Sequence, residues 1–197
     1  MKIYNDLQQG TEEWLAVRLG KFTASTATAI KSNGKGLETL VLDKAVELIT
    51  KKQAKQPYKS SAMDDGNNRE DEARTVYELS TGLSVTQVGF CELNEHVGCS
   101  PDGLVGDDGL VEIKCPEART FLTYKLTKKV DTGYYAQMQM QMYVTDRKWC
   151  DYVVYHPDFP DAIIIKRVER DEVFIEKIRI GLESGIKKLK ETMEKIK

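Results

Sequence analysis

Three charged residues in the middle of the chain have the types and spacing of a metal-dependent hydrolytic site. Asp102 follows Pro101, and Glu112 and Lys114 lie in the apolar run 110–115. If that run is a strand, Glu112 and Lys114 share one face, because side chains alternate along a strand. Opposite charges on an apolar strand are costly to bury unless they pair or bind an ion. Two carboxylates beside a lysine can hold Mg²⁺ and activate a water next to it.

A hairpin is needed to bring Asp102 to the same place. The segment 99–104 and the run 110–115 are predicted to pair, with the glycine-rich connection between them as the turn. A surface hairpin with an exposed Glu–Lys pair is the alternative. The aspartate at this distance before the Glu-x-Lys, together with the apolar partners, favours a site.

The composition limits the class of protein. With 197 residues, 41% hydrophobic and 30% charged, a single domain over 1–197 is expected. No apolar run approaches a membrane span, and the first residues lack the apolar region of a signal peptide, so we expect a cytoplasmic location. The four cysteines contain no C-x-x-C pair, which argues against zinc or iron–sulfur. At a net charge of -2, any DNA-binding surface must concentrate its positive charge locally.

The N-terminal region predicts a short helix over 11–20, capped by Thr11 and ended by Gly20. Arg18 lies on this helix, and Thr23 or Ser25 can cap a second short helix after it. An arginine facing hydroxyls and free backbone N–H groups makes a phosphate pocket. A solvated arginine with an ordinary helix cap explains the same residues, and the sequence alone does not separate the two.

The other elements follow from hydrophobic periodicity. Helices are predicted over 37–53, from 64–68 to Gly82, within 122–130, over 134–143 and from Asp171 onwards. Strands are predicted over 84–93, 97–99, 110–115, 152–155 and 162–165, the last two as a hairpin.

Two of these helices carry polar residues of interest. Glu70 shares a face with Ala73 and Tyr77, as a third acid of the site or as a glutamate that suits the helix dipole. The segment 134–143 alternates Gln and Met as a strand does, but both are good helix formers. As a helix it places Gln137 and Gln141 one turn apart, and such an amide can orient water or phosphate.

The pattern P-D-x(9)-E-x-K resembles the motif of the PD-(D/E)xK, or restriction-endonuclease-like, nuclease superfamily. Residues 100–104 and 112–116 resemble, more narrowly, the phage λ exonuclease or YqaJ-type viral recombinase family, and five blocks occur in the family's order. The resemblance implies an α/β fold with a restriction-endonuclease-like core, a mixed central β-sheet flanked by helices and, here, a long C-terminal helix.

The resemblance also implies roles for particular residues. Asp102, Glu112 and the backbone carbonyl of Ile113 would be metal ligands, and Lys114 would position or polarise the attacking water. The remaining residues would complete the catalytic and DNA-binding set: Glu70 for a second metal or its water, Gln137 in the active site, Arg18 and Ser25 on a 5′ phosphate, and Ser100 on the cleaved strand.

The implied function is a Mg²⁺-dependent 5′→3′ exonuclease acting on linear double-stranded DNA. It would degrade the 5′-phosphorylated strand and leave 3′ single-stranded tails for recombination by strand annealing. Two Mg²⁺ ions per site, replaceable by Mn²⁺, a ring-shaped homotrimer around DNA, a single-strand annealing partner and the host cytoplasm follow from the same likeness. A related nuclease of other polarity or endonucleolytic role, restriction- or Cas4-like, and a non-catalytic DNA-end-binding module remain alternatives.

Overall fold

The computed structural model describes residues 1–54 and 61–196, with the backbone alone for 61–68. The helices are α1 (Glu12–Arg18), α2 (Ala27–Ser32), α3 (Lys35–Thr50), α4 (Ser61–Thr81), α5 (Ala118–Thr127), α6 (Thr132–Thr145) and α7 (Glu172–Glu194). The strands are β1 (Lys2–Tyr4), β2 (Phe22–Thr23), β3 (Val85–Thr86), β4 (Phe90–Asn94), β5 (Val97–Cys99), β6 (Gly103–Val105), β7 (Gly109–Lys114), β8 (Trp149–Tyr155) and β9 (Ile163–Glu169). The predicted α/β class is confirmed.

The strands form two mixed sheets. The larger has the order β3-β6-β7-β8-β9, and the smaller has the order β1-β4-β5-β2. Strand β7 pairs antiparallel with β6 and parallel with β8, so it lies inside the larger sheet. Its residues from Gly109 to Ile113 are buried, which explains why the run reads as nearly continuous apolar sequence.

Helix α6 lies in the core and contacts both sheets as well as α7. Met138, Met140 and Met142 are all fully buried, as a helix surrounded by protein on most sides requires. The helix predicted over 134–143 is confirmed and extends to 132–145. Burial all round explains why its sequence lacks the usual helical alternation of polar and apolar faces.

Helix α7 begins as predicted, because the side chain of Asp171 accepts a hydrogen bond from Phe174 N. It packs against α2 and α3 and covers the core from that side. At Gly181 the helix approaches α2 so closely that a Cβ atom would lie 1.9 Å from the carbonyl oxygen of Ile30. Only glycine fits at this crossing.

Several predicted boundaries are wrong, for local reasons. The strand expected over 84–93 is two strands, because β3 pairs with β6 while β4 pairs with β1 and β5 of the other sheet. The helix expected to reach residue 53 ends at Thr50, where Lys51 takes a left-handed conformation. Lys128 does the same after α5, which also begins earlier than expected, at Ala118. Neither lysine is the glycine that usually marks such an end.

Among the residues that the structure describes, none of the helices has both the length and the apolar character that a membrane span requires.

Candidate active site

The β6–β7 hairpin brings Asp102 against the strand that carries Glu112 and Lys114. Gly103 pairs with Val111, and Asp102 therefore lies at the open end of the hairpin, beside Ile113. The Asp102 carboxylate accepts a hydrogen bond from Ile113 N at 2.6 Å. This bond fixes the carboxylate next to the neighbouring residues of β7, as the predicted hairpin requires.

The ammonium of Lys114 lies among the oxygens expected to hold a cation. Its Nζ atom is 2.5 Å from Glu112 Oε1 and 3.8 Å from Asp102 Oδ2. It also donates a hydrogen bond to the Ile113 carbonyl oxygen at 3.0 Å. Two carboxylates and one backbone carbonyl form a hard oxygen donor set of the kind that suits Mg²⁺. A positive charge already occupies the space between them, so the donor set fits a cation.

Burial makes this site electrostatically demanding. The Glu112 side chain is completely buried, and those of Asp102 and Lys114 are 13% and 25% exposed. Burial, and then repulsion from Glu112, raise the pKa of Asp102 well above its ordinary value. Burial opposes the charge on Lys114, but attraction by Glu112 and Asp102 outweighs it and raises the pKa of the lysine. When Asp102 is ionised, two close carboxylates with one ammonium leave a deficit of positive charge that a divalent ion would correct.

Two glutamines of α6 hold the Glu112 carboxylate from the other side. Gln137 Nε2 donates to Glu112 Oε1 at 2.6 Å, and Gln141 Nε2 donates to Oε2 at 2.7 Å. Both glutamines face β7 because they are one helical turn apart. Each oxygen of the buried carboxylate therefore has an amide donor.

Glu70 approaches the site from α4. It lies on the helix face that carries the buried Ala73 and Tyr77, as predicted, but its carboxylate pairs with Arg74 at 2.9 Å. Burial raises the pKa of Glu70, and Arg74 and then Lys114 oppose that rise. Among the side chains that the structure describes, those of 1–54 and 69–196, no three His, Cys, Asp or Glu residues converge as a metal site of that kind requires. Here the donors that do converge are two carboxylates and one carbonyl.

Arg18 and Ser100 meet in a second, adjacent pocket. Arg18 Nη1 donates to Ser100 Oγ at 3.0 Å, and Trp14 Nε1 donates to the same oxygen at 2.9 Å. The guanidinium lies over the Trp14 ring, 4.1 Å from its centroid. Burial lowers the pKa of Arg18 to about 10, which leaves it charged at neutral pH. Among the described residues it forms no ion pair within 4 Å, and Glu47 acts on it only from a greater distance, so this cluster presents a partly buried cation without a paired carboxylate.

Ser25 lies in the 3₁₀ turn 24–26, and its hydroxyl is 3.3 Å from that of Thr23. Arg18 is hydrogen-bonded to Ser100. The hydroxyl of Ser25 is instead hydrogen-bonded to Thr23, just before the turn. Ser100 is two residues before Asp102, so the arginine pocket, meaning Arg18, Trp14 and Ser100, is joined to the carboxylate site through one short segment of the chain.

Two residues of the site have no role in the sequence-based assignment. Trp14 orients Ser100, and Gln141 binds Glu112. The i,i+4 spacing of Gln137 and Gln141 was the available signal for the second, because it places both amides on one helix face. The bond from Trp14 to Ser100 spans distant parts of the sequence and has no local signal.

A sequence profile of the YqaJ-like viral recombinase domain matches residues 13–148. Among curated proteins, no sequence matches significantly. Among solved structures, the chain is similar to the alkaline exonuclease LHK-Exo from Laribacter hongkongensis, with 36% identity and a TM-score of 0.86. The match covers 94% of this chain and 96% of that one, and a structure of LHK-Exo with dAMP matches equally well.

A phage-related exonuclease from Haemophilus somnus 129PT has the same fold at 17% identity, with a TM-score of 0.73. The match covers 90% of this chain and 96% of the other.

Proposed function

Because the chain belongs to the family of YqaJ-like viral recombinase domains, we propose that it is a metal-dependent exonuclease acting on linear double-stranded DNA. Its proposed polarity is 5′→3′, with degradation of the 5′-phosphorylated strand and release of a 3′ single-stranded tail for strand annealing. The similar LHK-Exo is an alkaline exonuclease whose structure with dAMP is known, which supports a nuclease that handles nucleotides.

One observation carries the proposal: Asp102 Oδ2, Glu112 Oε1 and the Ile113 carbonyl all face the ammonium of Lys114. Buried charges are normally paired or bound to a metal. Here two carboxylates lie beside a single ammonium. The same three oxygens would hold the catalytic Mg²⁺ or Mn²⁺. When bound, the cation supplies charge neutralisation at the phosphate and a water that ionises near neutral pH.

The side chains around these oxygens have separate tasks. Lys114 stays protonated, since its pKa is raised, and so it acts as a charged donor to the attacking water or to a phosphate oxygen and not as a base. Gln137 holds Glu112 Oε1 toward the reacting groups. Glu70, which pairs with Arg74, is proposed to serve the second of two cations or the water around it.

The arginine pocket explains why digestion would begin at an end. Arg18 offers a partly buried positive charge, and Ser100 offers a hydroxyl beside it. A terminal 5′ phosphate carries more negative charge than an internal phosphodiester and therefore gains more from the unpaired guanidinium. Ser25, exposed in the nearby turn, is proposed as a further contact to this phosphate.

The proposed assembly is a ring-shaped homotrimer around DNA, with a single-strand annealing protein as partner. A net charge of -2 gives little general attraction to DNA. A ring needs positive potential only on its inner surface, which reconciles an acidic chain with a DNA substrate.

The test is digestion of end-labelled linear duplexes that differ only in carrying a 5′ phosphate or a 5′ hydroxyl. We expect Mg²⁺-dependent release of nucleotides, faster from the phosphorylated end, and complete loss of activity in EDTA with recovery on adding Mn²⁺. Efficient cutting of closed circular plasmid, or digestion that starts from the 3′ terminus, would contradict the proposal.

A further inference from the structure

Gln141 is a polar residue in a place where packing alone favours an apolar one. Its side chain is completely buried on α6, next in sequence to the buried Met140 and Met142. Its Oε1 atom has no hydrogen-bond partner among the described residues. A buried amide oxygen without a partner is destabilising, and such groups in native proteins call for a specific explanation. The explanation lies at the other end of the amide, where Nε2 donates to Glu112 Oε2.

The hydrogen bonds from the two glutamine amides go to different oxygens of the Glu112 carboxylate. Oε1 receives Gln137 and Lys114, and so it is the oxygen that faces the site. Oε2 receives Gln141. A carboxylate held at one oxygen alone can still turn about its terminal torsion, which is broad for glutamate. A second donor on Oε2 removes that freedom.

We infer that Gln141 is a positioning residue, which fixes the Glu112 carboxylate with Oε1 turned toward Asp102 and Lys114. This inference rests on the proposed function, in which Glu112 binds the catalytic cation. Groups that orient a metal-binding carboxylate raise metal affinity because the ligand is already in place before the ion arrives. Gln141 itself touches neither DNA nor the cation.

Gln139 provides a matched control on the same helix. It is the same residue type and equally buried, but its amide joins α6 to the end of β9 and the start of α7. Its Nε2 donates to the Glu169 carbonyl and its Oε1 accepts from Asp171 N, each at 2.8 Å. Replacing Gln139 therefore removes two buried hydrogen bonds of a side-chain amide but leaves the donors to Glu112 unchanged.

The experiment compares Mn²⁺ binding by calorimetry, without DNA, in the full chain and in the variants Gln141→Met and Gln139→Met. Methionine has about the volume of glutamine, so neither change opens a large cavity. Gln141→Met is expected to weaken Mn²⁺ binding about 10- to 100-fold. Gln139→Met is expected to keep the Mn²⁺ affinity while lowering the melting temperature. Nuclease activity of Gln141→Met should recover as Mg²⁺ is raised, which a folding defect would not show.

The outcomes separate this inference from the proposed function. Absence of Mn²⁺ binding in the unmodified chain would contradict the proposed metal site itself. Mn²⁺ binding by the unmodified chain with equal affinity in Gln141→Met would overturn the role of Gln141 alone. If Gln141→Met does not fold, Gln141→Asn takes its place, because the shorter amide falls short of Glu112, and unchanged affinity there overturns the inference in the same way.

Discussion

Lys114 Nζ lies 2.5 Å from Glu112 Oε1 and donates to the backbone carbonyl of the residue between them, Ile113. The two side chains share one face of β7, so the strand itself presents a cation and an anion to the same point. With Asp102 added from the hairpin, the ammonium has two carboxylate neighbours. A bound divalent ion and the ammonium would therefore compete for the same oxygens.

Lys114→Met is expected to separate metal binding from hydrolysis. Removing the ammonium removes the cation that competes for the three oxygens, so Mn²⁺ affinity measured by calorimetry should be kept or increased. Nuclease activity should fall about 10²- to 10³-fold, the cost of removing one donor that stabilises a developing oxyanion in other enzymes. The control is Lys148→Met, at an exposed ion pair with Asp108, which should change neither quantity. Weaker Mn²⁺ binding by Lys114→Met would show that the lysine does not compete with the ion.

Asp102→Asn is expected to stabilise the metal-free protein while abolishing activity. The pKa of Asp102 is raised in the folded state, so the folded chain holds this proton more tightly than the unfolded chain. The contribution of Asp102 to stability is therefore most favourable below its unfolded pKa, about 3.9, and is lost as the pH rises through the folded value. Because asparagine cannot ionise, the Asp102→Asn variant does not lose this stability as the pH rises.

The measurement is thermal unfolding in EDTA at several pH values. At neutral pH the Asp102→Asn variant should melt higher, by roughly 2–4 °C for each kcal/mol of penalty removed. The difference should shrink as the pH falls toward about 4. Added Mn²⁺ should raise the melting temperature of the unmodified chain and leave that of Asp102→Asn nearly unchanged. A variant that melts lower at neutral pH would argue against the repulsion described for Asp102.

Gly181→Ala is expected to destabilise the crossing of α7 over α2. The added Cβ would lie 1.9 Å from the Ile30 carbonyl oxygen, so the two helices must separate. Overpacking of this kind costs about 1–3 kcal/mol, which chemical denaturation would measure. The control is Gly36→Ala in α3, where the nearest atom is 3.5 Å away and alanine favours the helix by up to about 1 kcal/mol. Equal effects of the two changes would contradict the close approach at Gly181.

The parts of the site that were predictable from sequence are those set by local geometry. Alternation along β7 places Glu112 and Lys114 on one face, and a short connection returns the chain so that Asp102 lies beside them. Helix starts were equally local, since Thr11 and Asp171 each accept a bond from a backbone N–H just ahead in the chain. These features depend on neighbouring residues alone.

The parts that sequence could not supply depend on distant segments. The pairing of β3 and β4 with different sheets divides one apolar stretch. Gly89 lies between the two strands, where a Cβ would be 1.9 Å from the Leu7 carbonyl oxygen, but a glycine alone does not indicate which sheet each strand joins. Trp14 bonds to Ser100, which lies 86 residues further along the chain. The spacing of four residues in a helix allows Arg74 to pair with Glu70. The burial of Arg74, however, depends on segments that are distant in sequence.

Arg18→Met is expected to remove the preference for a 5′-phosphorylated end. The guanidinium is held by Ser100 and the Trp14 ring and has no acidic partner among the described residues, so its charge is available to an anion. Hydrogen bonds to charged groups are worth about 1.5–3 kcal/mol, which corresponds to roughly a 10- to 150-fold loss of rate on phosphorylated ends. Ends with a 5′ hydroxyl should be digested at nearly the same rate as before. Arg179→Met, at an exposed pair with Glu176 on α7, is the matched control. An equal loss on both kinds of end would place Arg18 in general DNA binding and not in recognition of the terminus.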